Sequence, residues 1–343
     1  MTKLAYNLGY WSSGPPADAL ATVLEVERLG YDSIWSAEAY GSDALTPLAW
    51  VGSRTSTIRL GTGICQIPAR APTATAMAAM TLDHLSGGRF VLGLGASGPQ
   101  VAEGWYGQPY PRPLGRTREY VDIVRAAVAR KHPVAYAGDH YALPCPDGSG
   151  LGKPLKSTIH PLRPDLPIFL GAEGPKNVAL SAEICDGWVA FLYPRTLDGF
   201  YRECLAEGFA RRSPNLRPPS DFEVVAALPV VVDRDVEAAA NVIRPQLALY
   251  MGGMGARKAN FHFEAVARAG WEAEAIKVQE LYLAGRKEEA IASIPLALVE
   301  EFALVGPVEK IRDEVAAWQN TAMTTFLVNG PQSVLRTLAE LLL

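Results

Sequence analysis

Apolar residues along this chain follow two alternating rhythms. Short, nearly continuous apolar runs lie at 4–10, 32–36, 58–64, 89–94, 167–171, 187–192, 223–232 and 324–328. Between most of them the apolar positions recur every three to four residues. In "PADALATVLEVERLG" (16–30), Leu20, Val23, Leu24 and Val26 share one face, and Gly30 marks the stop. The same helical rhythm occupies 73–88, 117–130, 174–187 and 333–343. Runs such as "RFVLGLG" and "VVAALPVVV" carry no polar alternation, which fits strands buried on both faces. Strand and helix alternating over eight strands predict an α/β fold, a parallel (β/α)8 TIM barrel. An open doubly wound sheet is the rival. It would favour a glycine-rich nucleotide turn after the first strand, and "NLGYWSSGPP" does not supply one.

Two spacings exceed a plain crossover. Residues 131–166 contain "HPVAYAGDHYALP", which reads as a hairpin turning at Gly138-Asp139, then a Gly/Pro-rich loop. Residues 234–322 carry three helical patterns, at 236–253, 263–285 and 307–319. We read them as a helical insertion between strands seven and eight, placed over the barrel mouth. The whole of 1–343 then forms one domain.

Composition narrows the function. The chain has 343 residues, 49% of them hydrophobic, and a formal charge of −4. That balance gives no pull toward nucleic acid or an anionic membrane surface. No apolar run approaches a membrane span, and the N-terminus lacks a signal-peptide core. Cys65, Cys145, Cys185 and Cys204 form no CxxC pair, so they read as reduced thiols of a cytoplasmic protein. His132, His140, His160 and His262 show no metal-ligand spacing, so no metal is expected.

In a parallel barrel, chemistry lies where strands run into the following helices. Those junctions here are "LGTGICQIPAR", "VLGLGASGPQV", "FLGAEGPKN" and "WVAFLYPRT". Small residues dominate them. A flat ligand could lie against bare backbone. Glycine followed by Pro175 in a first helical turn leaves N–H groups free to face an anion. A phosphorylated planar cofactor fits this pattern, with both glycine-bearing endings making room for it.

Three longer stretches resemble the luciferase-like flavin and deazaflavin oxidoreductases, nearest the branch that uses coenzyme F420, such as methylenetetrahydromethanopterin reductase. They are "LGYDSIWSAEAYGSDALTPLAWVGSRTSTIRLGTGI" (29–64), "LDHLSGGRFVLGLGASGPQVAEGWYG" (82–107) and "PIFLGAEGPKNVALSAEICDGWV" (167–189). The resemblance implies a non-proline cis peptide at Gly63–Ile64, in a bulge that backs the tricyclic ring. It implies a backbone phosphate cradle at Gly171, Ala172, Glu173 and Gly174, helped by Leu192, Tyr193 and Arg195. Ser97, Gly98 and Val101 match the loop beside the ring and ribityl chain. Ala37 and Glu38 stand where relatives often place Asp-His, so a carboxylate replaces the usual histidine. Glu38 becomes the candidate acid or base, or else the partner of a nearby arginine or a plain surface carboxylate; Tyr40 is a second candidate donor. Trp11, Trp105 and Tyr106 are candidate pocket-wall residues. Asp83 and His84 look like an acid–base pair but precede strand four, on the stability face of a barrel.

Residues 110–163 hold nine Arg/Lys against four acids. Arg112, Arg116 and Arg118 follow strand four and offer a basic exit for the acidic tail of F420, which favours F420 over FMN. The expected activity is hydride transfer between F420 and a small organic molecule, in a homodimer. The alternatives are an FMN-dependent monooxygenase and a non-catalytic flavin-binding protein.

Overall fold

The computed structural model describes residues 2–11, 13–254 and 260–343. Eight parallel strands form the centre: β1 (Lys3–Gly9), β2 (Ser33–Ser36), β3 (Arg59–Thr62), β4 (Phe90–Gly95), β5 (Ile168–Gly171), β6 (Gly187–Ala190), β7 (Glu223–Ala227) and β8 (Thr325–Val328). Their order is β3-β2-β1-β8-β7-β6-β5-β4, and pairing of Leu60 with Phe90 closes β4 onto β3. The predicted TIM barrel is therefore present.

The outer ring begins with α1 (Ala19–Arg28), α2 (Thr46–Gly52), α3 (Pro72–Leu85), α4 (Pro99–Gly104), α5 (Pro113–Ala129), α6 (Pro175–Ile184) and α7 (Asp198–Phe209). One apolar layer fills the space between strands and helices, with Ile34, Leu60, Phe90, Tyr120 and Trp188 among its buried members. A second, smaller layer lies inside: Ala5, Trp35, Val91, Phe169, Val189, Val225 and Leu327. Strands packed on both sides explain why the sequence runs are apolar throughout. At the N-terminal end, Arg59 bridges Asp32 (2.5 Å) and Glu223 (2.8 Å), and Lys3 adds a 3.0 Å contact to Glu223.

Two expected strands break within their apolar runs. The run 223–232 breaks at Pro229, which has no N–H to continue a ladder. Val230–Val232 leaves the barrel and pairs in parallel with Leu304–Gly306. The run 58–64 ends at Thr62, and Cys65–Gln66 resumes as a two-residue strand against β4. The hairpin forms as expected, with Tyr136–Ala137 antiparallel to Ala142–Leu143.

Between β7 and β8 lie α8 (Val236–Gly252), α9 (Phe261–Val266), a π turn (Ala267–Trp271), α10 (Glu272–Leu283), α11 (Lys287–Ala292), α12 (Leu296–Glu300) and α13 (Val308–Gln319). Asp235 caps α8 by accepting the Glu237 N–H at 2.9 Å. The segment has its own core, including Ile243, Leu247, Met251, Val278 and Leu298. Residues 255–259 of the expected insertion lie outside the described residues. The last of the three patterns differs from expectation. Ile311, Val315 and Trp318 of α13 join the barrel's outer layer, so α13 belongs to the ring. No helix among the described residues is long and apolar enough to cross a membrane.

Candidate active site at the barrel mouth

The turn after β3 sets the geometry of the mouth. The Gly63–Ile64 peptide is cis, as the resemblance implies. The Gly63 N–H donates to the Ser36 carbonyl at 2.7 Å, and Ile64 packs against the inner layer. Neighbouring glycines are explained by this turn. A Cβ on Gly95 would lie 2.7 Å from Ile64 Cδ1, and one on Gly171 would lie 2.9 Å from Ile64 Cγ2. A Cβ on Gly93 would lie 1.8 Å from the Thr62 carbonyl oxygen. Thr62 Oγ1 also bonds both the N–H and the C=O of Gly93, at 2.8 Å each. These three glycines make room for the protein's own bulge, which corrects the expectation that they make room for the cofactor directly.

Open backbone lies one step further along each junction. After β5, the Ala172 N–H is taken by the Val189 carbonyl, and Trp188 Nε1 donates to the Ala172 carbonyl at 2.8 Å. The N–H groups of Glu173, Gly174 and Lys176 have no acceptor among the described residues. Pro175 contributes none, and nothing lies within 4 Å of a Cβ built on Gly174. Three free donors at the start of a ten-residue helix could accept an anion, and a phosphate-bearing cofactor is compatible with them. After β4, Ser97 has φ 63°, an uncommon backbone for a non-glycine residue. The Tyr110 hydroxyl donates to the Ser97 carbonyl at 2.8 Å and fixes that turn. Gly98 and Val101 follow at the start of α4, with the Val101 N–H bonded to the Gly98 carbonyl.

The β6 junction departs from expectation. Leu192 is buried against the insertion core, and its N–H donates to Glu173 Oε1 at 3.4 Å. The Tyr193 hydroxyl donates to Asp198 at 2.5 Å, and its ring packs on Trp188 and Tyr201. Only the Tyr193 N–H is left without an acceptor among the described residues. Arg195 is exposed, and its N–H bonds the Glu301 carbonyl at 3.2 Å.

Glu38 is buried and paired with an arginine, not a surface carboxylate. Arg70 grips its carboxylate at 2.6 and 3.0 Å, and the Ala44 and Gln66 N–H groups add bonds of 3.1 and 2.7 Å. Its side chain is 3% exposed. Burial lowers the Arg70 guanidinium, but hydrogen bonds and the charge of Glu38 override it and raise that group. Ala37 is held by its N–H to the Gly9 carbonyl at 2.9 Å. Tyr40 is 59% exposed at the rim. Tyr106 spans from α4 to the Ala39 carbonyl, Trp11 meets Trp50 edge-on, and Trp105 stands exposed. Asp83 is buried and paired with Arg163, and His84 Nε2 bonds the His160 carbonyl, both in structural roles. The basic exit is mostly committed: Arg112 pairs with Asp139 and Arg118 with Glu183.

A family model described as luciferase-like monooxygenase matches residues 5–325. The chain belongs to the luciferase-like monooxygenase family. A Mycobacterium tuberculosis protein that carries the name coenzyme F420-dependent oxidoreductase is 52% identical over 99% of this chain and 98% of its own length. A 5,10-methylenetetrahydromethanopterin reductase of Archaeoglobus fulgidus is 31% identical over 66% of this chain and 64% of its own. Among solved structures, the F420-dependent tetrahydromethanopterin reductase of Methanopyrus kandleri superposes with a TM-score of 0.81 at 19% identity. That match spans 99% of this chain and 97% of the reductase, and it establishes the shared fold.

Within this luciferase-like barrel, the insertion supplies mouth residues that no sequence motif marked. Phe191, after β6, packs on Tyr250 of α8 and His262 of α9 with ring centroids 4.6 and 5.8 Å away. Tyr250 and His262 meet edge-on at 4.7 Å. Burial pushes the Tyr250 phenol up to about 12, with smaller contributions from Tyr10, Glu173 and Tyr40. Burial pushes the His262 imidazole down to about 4, and its Nδ1 has no partner. These three rings form a neutral aromatic rim beside the β6 junction. Beside it, Phe191, Leu192, Tyr193, Pro229, Gln246 and Phe302 line a narrow cleft beneath α8.

Proposed function

We propose that this chain transfers a hydride between coenzyme F420 and a small organic substrate. The observation that carries the reading is the free N–H set of Glu173, Gly174 and Lys176 at the head of α6, beside the Gly63–Ile64 bulge. The 52% identity to a protein named as an F420-dependent oxidoreductase supports the choice of cofactor. When bound, the deazaflavin supplies hydride chemistry with little reactivity toward oxygen.

The roles divide among this chain's own residues. The 171–174 loop holds the phosphate through backbone, with Gly171 giving way to Ile64 and Ala172 anchoring the loop on β6. Gly63 and Ile64 back the ring. Ala37, Ser97, Gly98 and Val101 border it, and the Tyr193 N–H remains as a further donor. Arg195 is free to meet the acidic tail from the surface. Glu38 serves as a clamp rather than a proton donor, because its carboxylate is already saturated with donors. Tyr40, at the rim beside Tyr10 and Tyr250, is the candidate that moves a proton to or from substrate. The neutral aromatic rim suits an uncharged, largely apolar substrate. The insertion acts as part of one domain, since its cleft is closed by barrel residues. Exposed Trp50 on α2 and Met77 on the adjoining α3 support a homodimer through the outer helices. Unpaired thiols support a reducing, cytoplasmic setting.

Titration of the purified protein with F420 and with FMN, read by quenching of each chromophore, tests the central claim. Saturable F420 binding is expected, tighter than FMN binding. Binding of FMN alone would overturn the assignment. Light scattering, giving one or two chain masses, tests the dimer.

A further inference from the structure

Glu173 has an unusual environment for a carboxyl group. Its backbone N–H belongs to the free donor set, but its side chain turns to the β6 junction. Oε1 accepts from the Phe191 N–H at 3.2 Å and the Leu192 N–H at 3.4 Å. Oε2 is buried with no partner among the described residues. No lysine, arginine or histidine pairs with it among the described residues. The groups that face it electrostatically are phenols: Tyr201 from α7 and Tyr250 from α8. The Tyr201 hydroxyl is itself buried and unpartnered, and Arg268 of the π turn acts on that tyrosine rather than on the carboxyl. A carboxylate with one oxygen buried and unpartnered, and with no counter-ion among the described residues, is costly, so the neutral acid is favoured. Burial pushes Glu173 up to about 8, and its two backbone hydrogen bonds only partly oppose this.

We propose that Glu173 is a positioning residue held as a neutral acid: it straps the anion-binding loop to the β6 junction without placing a negative charge beside the ligand's phosphate. This deepens the cofactor reading above and rests on it. Two physical roles combine in one group. The strap fixes the loop whose N–H groups must converge on one point. Neutrality matters because an ionised carboxylate on this loop would repel the anion that those donors recruit. By linkage, anion binding in turn favours the protonated acid. Raising pH through the folded-state value ionises the group, so affinity falls on the alkaline side. A unit charge within a helical turn of the ligand, in a partly buried site, changes affinity roughly ten-fold or more.

The test compares the pH dependence of F420 binding in wild type and E173Q from pH 6.5 to 9.5, with E173A as the strapless control. Wild-type affinity is expected to fall roughly ten-fold or more across that range, and E173Q to lose most of that slope. E173A is expected to bind weakly at every pH, because the loop is no longer tied. Parallel wild-type and E173Q curves would overturn the proposal. Infrared difference spectra of the ligand-free protein against E173Q supply a second readout. They are expected to show a protonated buried carboxyl at pH 7 that is lost above pH 8. An ionised group at pH 7 would overturn the proposal even if the E173A protein were too unstable to measure. Failure of all three proteins to bind F420, with the infrared signal present, would sink the cofactor reading and leave the neutral acid standing.

Discussion

Removing the Arg70 side chain isolates the work of the Glu38 clamp. In Arg70→Ala, the buried carboxylate keeps the Ala44 and Gln66 N–H groups but loses two hydrogen bonds to a cation, of 2.6 and 3.0 Å. Breaking a buried ion pair costs roughly 3–5 kcal/mol. Arg70 is 24% exposed on its side chain, so water replaces part of what is lost. We therefore expect about 2–4 kcal/mol. The Arg70 backbone is held independently, since its carbonyl accepts the Tyr120 hydroxyl at 3.1 Å. With an unfolding entropy of ~2.1 cal/mol/K per residue, a chain of 343 residues loses about 3–6 °C in Tm for that penalty.

Glu38→Gln completes the comparison. The amide presents an NH2 to neighbours that are all donors, so it too is expected to melt lower. Because both residues act in one clamp, the double variant should cost less than the two single changes added together. Differential scanning fluorimetry measures the stability effects, and a pH profile of turnover measures the chemistry. A clamp lowers Tm in both single variants and leaves the shape of the pH profile alone. Loss of turnover in E38Q at unchanged Tm, with the acid limb of the profile gone, would make Glu38 the proton-transfer group and refute the reasoning. So would an Arg70→Ala protein that melts with wild type.

The glycines separate packing from binding. Gly93→Ala drives a methyl to 1.8 Å from a backbone oxygen, so no soluble folded protein is expected, whereas Gly174→Ala meets nothing within 4 Å and should melt like wild type. The same Gly174→Ala methyl enters the anion cradle, so F420 affinity read by quenching should fall roughly ten-fold; unchanged affinity would move the phosphate site elsewhere. At the other end of the barrel, burial alone would raise Glu223, but hydrogen bonds to Arg59 and the charges of Arg59 and Lys3 hold it below the usual carboxylate range. Its contribution is present above the unfolded value of about 4.3 and lost as pH falls through the folded one. Glu223→Gln should therefore cost about 1–2 kcal/mol at pH 7, flatten the acid-side loss of stability in urea melts, and leave F420 binding intact. Tyr40→Phe should lower kcat and remove a solvent isotope effect at unchanged Tm; kinetics identical to wild type would exclude the phenol from proton transfer.

The barrel was legible because its signal is distributed. Eight apolar runs separated by amphipathic helices leave few topologies, and small errors at Pro229 or Thr62 shift a boundary without changing the fold. The mouth was less legible, and the glycines show why. "GLGASG" and "LGAEG" look alike, and composition does not show what fills the space at each glycine. Gly93, Gly95 and Gly171 are vacant because another part of the same chain, Thr62 or Ile64, fills the space. Gly174 alone among these four has open space around it among the described residues. Telling the two apart requires knowing what crosses from the neighbouring strand, which is a contact between residues about thirty to over a hundred positions apart. The same limit hid Arg70 from Glu38, and Tyr250 and His262 from Phe191, whose partners come from the insertion. It also made Leu192 and Tyr193 look like free donors when one N–H was spoken for by Glu173. A local motif reports that backbone is bare; only the folded neighbours decide whether the protein or its cofactor occupies the space.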